Sequence, residues 1–252
     1  PGSYTHHTFT NDITRLGGSG RRGNPAGMLL CFNTRSLGAA APEHAKFDGA
    51  AAANSSLVIM APLNAAHVGV FDAAAGVFHS IPVGNTGRAT TRRFSGAAAV
   101  GHLVYMAPHH ASSIGVLDAA SLRFRTISIQ NEAMFKYQGV AYSSVSGQLY
   151  FAPHDESNIG VLDPASEAFR TIHLPSREAR ATAQYSGVVA IGTQLVFVPY
   201  DESQILILNV LSEHVETVPL NGAASVGSGK FYDGVAVDGR VYFTPHNQVR
   251  YF

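Results

Sequence analysis

The stretch 137–174, YQGVAYSSVSGQLYFAPHDESNIGVLDPASEAFRTIHL, decides how this chain folds. It opens on an aromatic-x-Gly element, Tyr137-Gln138-Gly139. An alternating run ending in Pro153-His154 follows, then Ile159-Gly160-Val161-Leu162-Asp163, then a last alternating run to Leu174. Short apolar runs bounded by turn residues read as strands, so the stretch predicts four strands in succession.

Most of the remaining sequence is this passage again. Aromatic-x-Gly recurs as Phe47-Asp48-Gly49, Phe94-Ser95-Gly96, Tyr185-Ser186-Gly187 and Tyr232-Asp233-Gly234, the five glycines lying 47, 43, 48 and 47 residues apart. The proline that ends the second strand recurs at Pro62, Pro108, Pro153, Pro199 and Pro245. A period of about 40–50 residues carrying four strands is the mark of a β-propeller, and helical repeats of that length would show a 3.6-residue period, which is missing here.

The third strand closes each unit. Asp72, Asp118, Asp163 and Asn209 end the runs that begin at Val68, Ile114, Ile159 and Ile205, each with a small residue three positions on. An Asx side chain at that place bonds the backbone two residues ahead and tightens the turn into a fourth strand. Near the start, Leu29-Leu30-Cys31-Phe32-Asn33-Thr34-Arg35-Ser36 matches this second half of a unit, while Tyr232 to Pro245 is a first half alone. The expected fold is therefore all-β: a five-bladed propeller of four-stranded antiparallel blades, closed by N-terminal strands pairing with C-terminal strands. Blades are expected at about 47–83, 94–129, 137–174, 185–220, and 232–252 completed by 28–43. Closure removes unpaired edges. The competing reading is a piece of a longer propeller in which Val249 to Phe252 begins its own third strand.

Residues 1–25 have no period and are rich in Gly, Ser, Thr, Asn and His, which predicts an extended arm ahead of a single propeller over 26–252. His6-His7 reads as solvated, and Cys31, the one cysteine, as a buried inert thiol. Charged residues are 13% of the chain against about 25% in an average domain, which favours a surface that works against partners. Seventeen basic and seventeen acidic residues balance. The chain has no footprint for nucleic acid or an anionic membrane, no run long enough to span a bilayer and no visible targeting segment. The compartment cannot be read from it.

The passages Leu149-Tyr150-Phe151-Ala152-Pro153 and Asn158-Ile159-Gly160-Val161-Leu162-Asp163-Pro164 resemble the repeats of the YVTN-repeat and streptogramin-lyase-like propellers. The resemblance covers most of 28–248 and rests on blade-building positions, so it implies architecture. A streptogramin lyase uses a few His and Glu residues with a magnesium ion to open a lactone by elimination. No catalytic role is carried over from it to a residue of this sequence, since fold likeness does not transmit chemistry.

One constellation follows the repeat proline. Leu63-Asn64, His109-His110, His154-Asp155, Tyr200-Asp201 and His246-Asn247 are equivalent, so a ring would set them around its axis on one face. His109, His154, Tyr200, His246, Asp155 and Asp201 are the candidate ligand contacts. Three equivalent histidines suit a metal or an anion in principle, but repeat-derived histidines more often bond loop carbonyls. Asp155-Glu156 and Asp201-Glu202 could supply an acid and a base, but duplication and solvation explain the two copies better. No GxSxG, P-loop, HExxH or CxxC motif is present. The reading is a non-catalytic propeller, without cofactor, catalytic residues or metal. It would act as a protein-protein interaction module or accessory subunit, docking another protein through one face or through the arm. The alternatives are a small-ligand or carbohydrate binder using the Pro-His loops, or a metal-assisted lyase or hydrolase.

Overall fold

A computed structural model describes residues 44–54, 56–84, 90–174 and 182–248. The expected arm at 1–25 and the blade-completing stretch at 28–43, with Cys31, lie outside the described residues. The first sheet comprises β1 (Phe47–Ala53), β2 (Leu57–Pro62), β3 (His67–Asp72) and β4 (Val77–Pro82). The second holds β5 (Phe94–Val100), β6 (Leu103–Pro108), β7 (Ser113–Asp118) and β8 (Arg123–Ser128). The third holds β9 (Tyr137–Ser143), β10 (Gln148–Pro153), β11 (Asn158–Leu162) and β12 (Phe169–His173). The fourth holds β13 (Tyr185–Ile191), β14 (Gln194–Pro199), β15 (Gln204–Asn209) and β16 (Val215–Pro219). A fifth sheet has two described strands, β17 (Phe231–Val237) and β18 (Arg240–Pro245). All neighbours pair antiparallel in sequence order.

The Asx turns form as expected. Asp72, Asp118 and Asn209 each accept two backbone N–H groups through Oδ1, while Asp163 accepts the Ala165 N–H and, through Oδ2, the Ser166 hydroxyl. At the other end of each sheet the first-strand aromatic lies opposite the repeat proline, as in Tyr137 with Pro153 and Tyr185 with Pro199. In the fifth sheet the residue opposite Pro245 is Phe231. The aromatic-x-Gly position there is thus Phe231-Tyr232-Asp233, one residue earlier than the expected Tyr232-Asp233-Gly234, because burial of the Phe231 ring and not the glycine sets the register. Asp233 stands where the other sheets have glycine.

The glycines explain how the first strands come so close. Gly49, Gly96 and Gly139 have φ of 83°, 93° and 88°, a region that only glycine enters readily. A Cβ built on Gly49 would lie 2.6 Å from the Gly96 Cα, on Gly96 2.6 Å from the Gly139 Cα, and on Gly139 2.7 Å from the Gly187 Cα. Backbone therefore touches backbone from one sheet to the next.

Between sheets lie four apolar cores. Ile59 and Val70 meet Phe94 and Val104; Tyr105 and Val116 meet Tyr137 and Leu149; Tyr150 and Val161 meet Tyr185 and Leu195; Val189 and Val198 meet Phe231 and Phe243. Tyr and Phe supply the bulk in a chain without tryptophan. The outermost strands are polar, and Arg125 with Glu167 and Arg170 with Glu213 tie neighbouring sheets at the rim, exposed pairs that each contribute at most about 1 kcal/mol. On the fifth sheet the face opposite the core is bare. Val235, Val237 and Tyr242 share it, and are 56%, 49% and 45% exposed. No helix among the described residues is long and apolar enough to cross a membrane.

Candidate functional site

Residues after the repeat proline are positioned by a belt of backbone hydrogen bonds. Within a sheet, the N–H groups of Leu63, His109, His154, Tyr200 and His246 donate to the carbonyls of Lys46, Arg93, Lys136, Gln184 and Lys230. Between sheets, the N–H groups of Arg93, Lys136, Gln184 and Lys230 donate to the carbonyls of Leu63, His109, His154 and Tyr200. These bonds of 2.7–3.0 Å form one continuous run from Lys46 to His246. Buried Lys136 and Lys230 add side-chain bonds to loop carbonyls at Ala133 and Asp201. Burial holds the Lys136 ammonium down to about 8.

The belt brings four of the sequence-predicted residues into one arc of rings. His109 meets His154 edge to face at 5.2 Å between centroids; His154 lies 6.1 Å from Tyr200, and Tyr200 5.8 Å from His246. His110 stacks on His109 at 5.2 Å. Two members were not legible from the repeat prolines. Phe135, in a loop between sheets, packs edge-on against His109 at 5.2 Å and His110 at 4.4 Å. Tyr232 lies 5.4 Å from His246. The Arg92 guanidinium sits over Phe135, 5.6 Å from the ring centroid.

Three of the arc's histidines are held back from taking up a proton. Burial, then the neighbouring His154, lowers the His109 imidazole to about 3, against a smaller opposing effect of its bond to the Tyr137 carbonyl. Burial also lowers His110 and His154, although Asp155 beside His154 pulls the other way. The His110 Nε2 is buried without a hydrogen-bond partner.

Asp155 and Asp201, also singled out from sequence, serve the loops. Asp155 Oδ1 accepts the Ala183 N–H at 2.7 Å and faces His154 Nδ1 at 2.8 Å, and Asp201 Oδ1 accepts the Gly229 N–H at 2.6 Å. Asn64 does the same for Arg92 in the first sheet, always 28 residues ahead. The second sheet has His110 at this place, and its ring packs on Phe135 instead.

Beside the arc lies a cavity of about 120 Å³, lined by residues of all five first strands. Glycines 49, 96 and 139 give it bare backbone, and Asp48, Ser95, Ser186, Tyr232 and Asp233 give it polar groups. Asp48 Oδ2 accepts from the Ser95 hydroxyl at 2.6 Å and from the Tyr232 hydroxyl at 2.9 Å, the latter joining the fifth sheet to the first. Asp233 is open to solvent but hemmed in by protein. That crowding, then the Asp48 charge, raises its carboxyl above the usual range, partly offset by the Gly234 N–H that Oδ1 accepts. Among the described residues no three His, Cys, Asp or Glu side chains converge as metal ligands.

No family model matches the chain, and no curated protein matches it in sequence. Solved structures match it in fold. Virginiamycin B lyase from Staphylococcus aureus superposes with a TM-score of 0.64 at 14% identity, over 81% of this chain and 64% of the lyase. A chain of the nidogen/laminin complex gives 0.60 at 14% identity over 79% of this chain and 72% of that one. The WD40 repeats of RRP9 give 0.55 at 14% identity over 69% and 51%. This chain thus spans less than two thirds of the lyase. With sheets of four antiparallel strands laid side by side through their first strands, the chain is a β-propeller, similar in fold to streptogramin B lyase and to propellers seen in protein complexes.

Proposed function

We propose that this propeller is a non-catalytic binding module that docks a partner protein on the face carrying the arc of rings. The observation behind this reading is the arc itself: imidazole, phenol and phenyl rings from four sheets, held by a common backbone belt. Tyrosines such as Tyr200 and Tyr232 are common energetic centres of interfaces, large in area and cheap to order. Exposed Met134 and Val226, on loops leading into the belt, extend the apolar character of the face. A carbohydrate or other small ligand lying on the same rings is the second reading, favoured by their flat faces beside a cavity.

The test is selective capture. From an extract of the cells that make it, the wild-type chain and Arg123→Ala, altered on the outer strand β8, are expected to retain the same protein partner. Tyr200→Ala and His246→Ala are expected to lose it about tenfold or more, with unchanged melting temperatures. Equal retention by all four chains would remove the reading.

For the scaffold, we propose a ring of five blades, with residues 28–43 supplying the third and fourth strands of the fifth. The bare face of Val235, Val237 and Tyr242, and the edge of β18 that has no partner strand among the described residues, motivate this, since apolar sheet faces and free edges are costly to leave open. Aligning Asn33 with Asp72 sets Cys31 at the place of Val70, which pairs with Ile59, and so opposite Tyr242. Cross-strand neighbours lie about 5 Å apart at Cβ, close to disulfide range. Mild oxidation of Tyr242→Cys is expected to consume both thiols within one chain, reversibly. Two thiols left free in the folded protein would argue against the ring.

A further inference from the structure

We propose that the axial cavity receives one arginine side chain of the partner protein, its guanidinium held between Asp48 and Asp233. This rests on the reading of the ring-bearing face as a docking surface and names what that surface recognises.

Charge complementarity carries the assignment. The cavity is lined by two carboxylates and by no Lys, Arg or His among the described residues. Each carboxylate is only half used. Asp48 binds Ser95 and Tyr232 through Oδ2, and Asp233 binds its own chain through Oδ1, so Asp48 Oδ1 and Asp233 Oδ2 have no hydrogen-bond partner among the described residues. Two acceptors on different sheets, facing one small space, match the forked donors of a guanidinium better than the single point of an ammonium.

Size and surroundings agree. About 120 Å³ is room for roughly four waters, or for a planar head group with part of its stem. Gly49, Gly96 and Gly139 contribute backbone alone to the walls. Tyr232 belongs both to the lining and to the arc, so a stem leaving the cavity runs past Tyr232 onto the rings of His246 and Tyr200. Among the described residues no three His, Cys, Asp or Glu side chains converge here as metal ligands, so a divalent ion would rest on two carboxylates and water, and the titration below includes magnesium to separate the two occupants. Asp233 occupies a position that is glycine in the four other sheets. The carboxylate is therefore not needed to build a blade, and its presence narrows the space beside Gly187, where a Cβ would come within 2.9 Å of Asp233 Oδ1.

The experiment titrates the full chain with Nα-acetyl-arginine methylamide, its lysine and citrulline counterparts, and magnesium chloride, with binding followed by calorimetry. The arginine compound is expected to bind best and the uncharged citrulline compound at least about tenfold more weakly. Asp233→Asn, which preserves size and the bond to Gly234, is expected to weaken the arginine compound about tenfold without lowering the melting temperature. Equal binding of arginine and citrulline compounds, indifference to Asp233→Asn, or magnesium binding in place of arginine would each overturn the assignment. Should arginine fail while Tyr200→Ala still abolishes partner capture, the docking face stands and only this occupant is lost. Capture that survives Tyr200→Ala removes the docking face itself.

Discussion

Gly96→Ala is expected to cost about 3–5 kcal/mol of folding stability, enough to leave much of the chain unfolded at 37 °C if its total stability is at the low end for a domain. Two effects add. The backbone at 96 has φ of 93°, where an L side chain is strained by about 1–3 kcal/mol. The new methyl would also lie 2.6 Å from the Gly139 Cα and 3.1 Å from its nitrogen, and backbone on an inner strand has nowhere to retreat. Gly101→Ala separates the two. It too has positive φ, 61°, but nothing lies within 4 Å of its Cβ, so it should cost only about 1 kcal/mol. Urea denaturation of both variants decides the matter, and equal costs would mean that the close approach of first strands is not a packing constraint.

That close approach also explains what the sequence revealed. Blade-building positions are legible because each is fixed by a local or repeated demand: the Asx turn at Asp163, the aromatic opposite Pro153, the glycine at 139 that backbone crowding requires. Such demands recur in every sheet and so appear as a period. The one-residue slip at Phe231-Tyr232-Asp233 arose where the period is broken, since Gly234 mimics the motif and the buried ring of Phe231 overrides it. The site was partly legible for the same reason. His109, His154, Tyr200 and His246 share a repeat position and meet in space. Phe135 reaches the arc from a loop between sheets, so no period exposes it. In the observed register Asp48 and Tyr232 share the middle place of the motif and both line the cavity, but the slip makes Tyr232 read as the motif's aromatic and hides that equivalence. The loop-bonding work of Asp155 and Asp201 was invisible, since their partners lie 28 residues ahead on loops of unlike sequence.

Acidification from pH 7 to pH 5 is expected to cost the folded chain about 2 kcal/mol through His109 alone. Its imidazole titrates at about 3 when folded and at about 6.5 when unfolded. The unfolded chain therefore takes up a proton in this window that the folded chain refuses, and stability rises with pH. The contribution is complete above pH 6.5 and is lost progressively as pH falls toward 3. His110 and His154 are shifted the same way by burial and add to the slope, with Arg92 opposing protonation of all three and Asp155 favouring it for His110 and His154. Asp118 and Asp163, with carboxyls held below their usual range by turn hydrogen bonds, lose stability only at lower pH. Asp233, whose carboxyl is raised, works in the opposite sense as pH falls. A difference measurement isolates the contribution of His109. His109→Asn keeps an amide N–H near the Tyr137 carbonyl but cannot titrate, so its stability should fall by about 2 kcal/mol less than wild type between pH 7 and pH 5 in urea denaturation. The same loss in both chains would mean that His109 is hydrated and free to charge, and the arc would then carry positive charge into the range where a cationic partner binds.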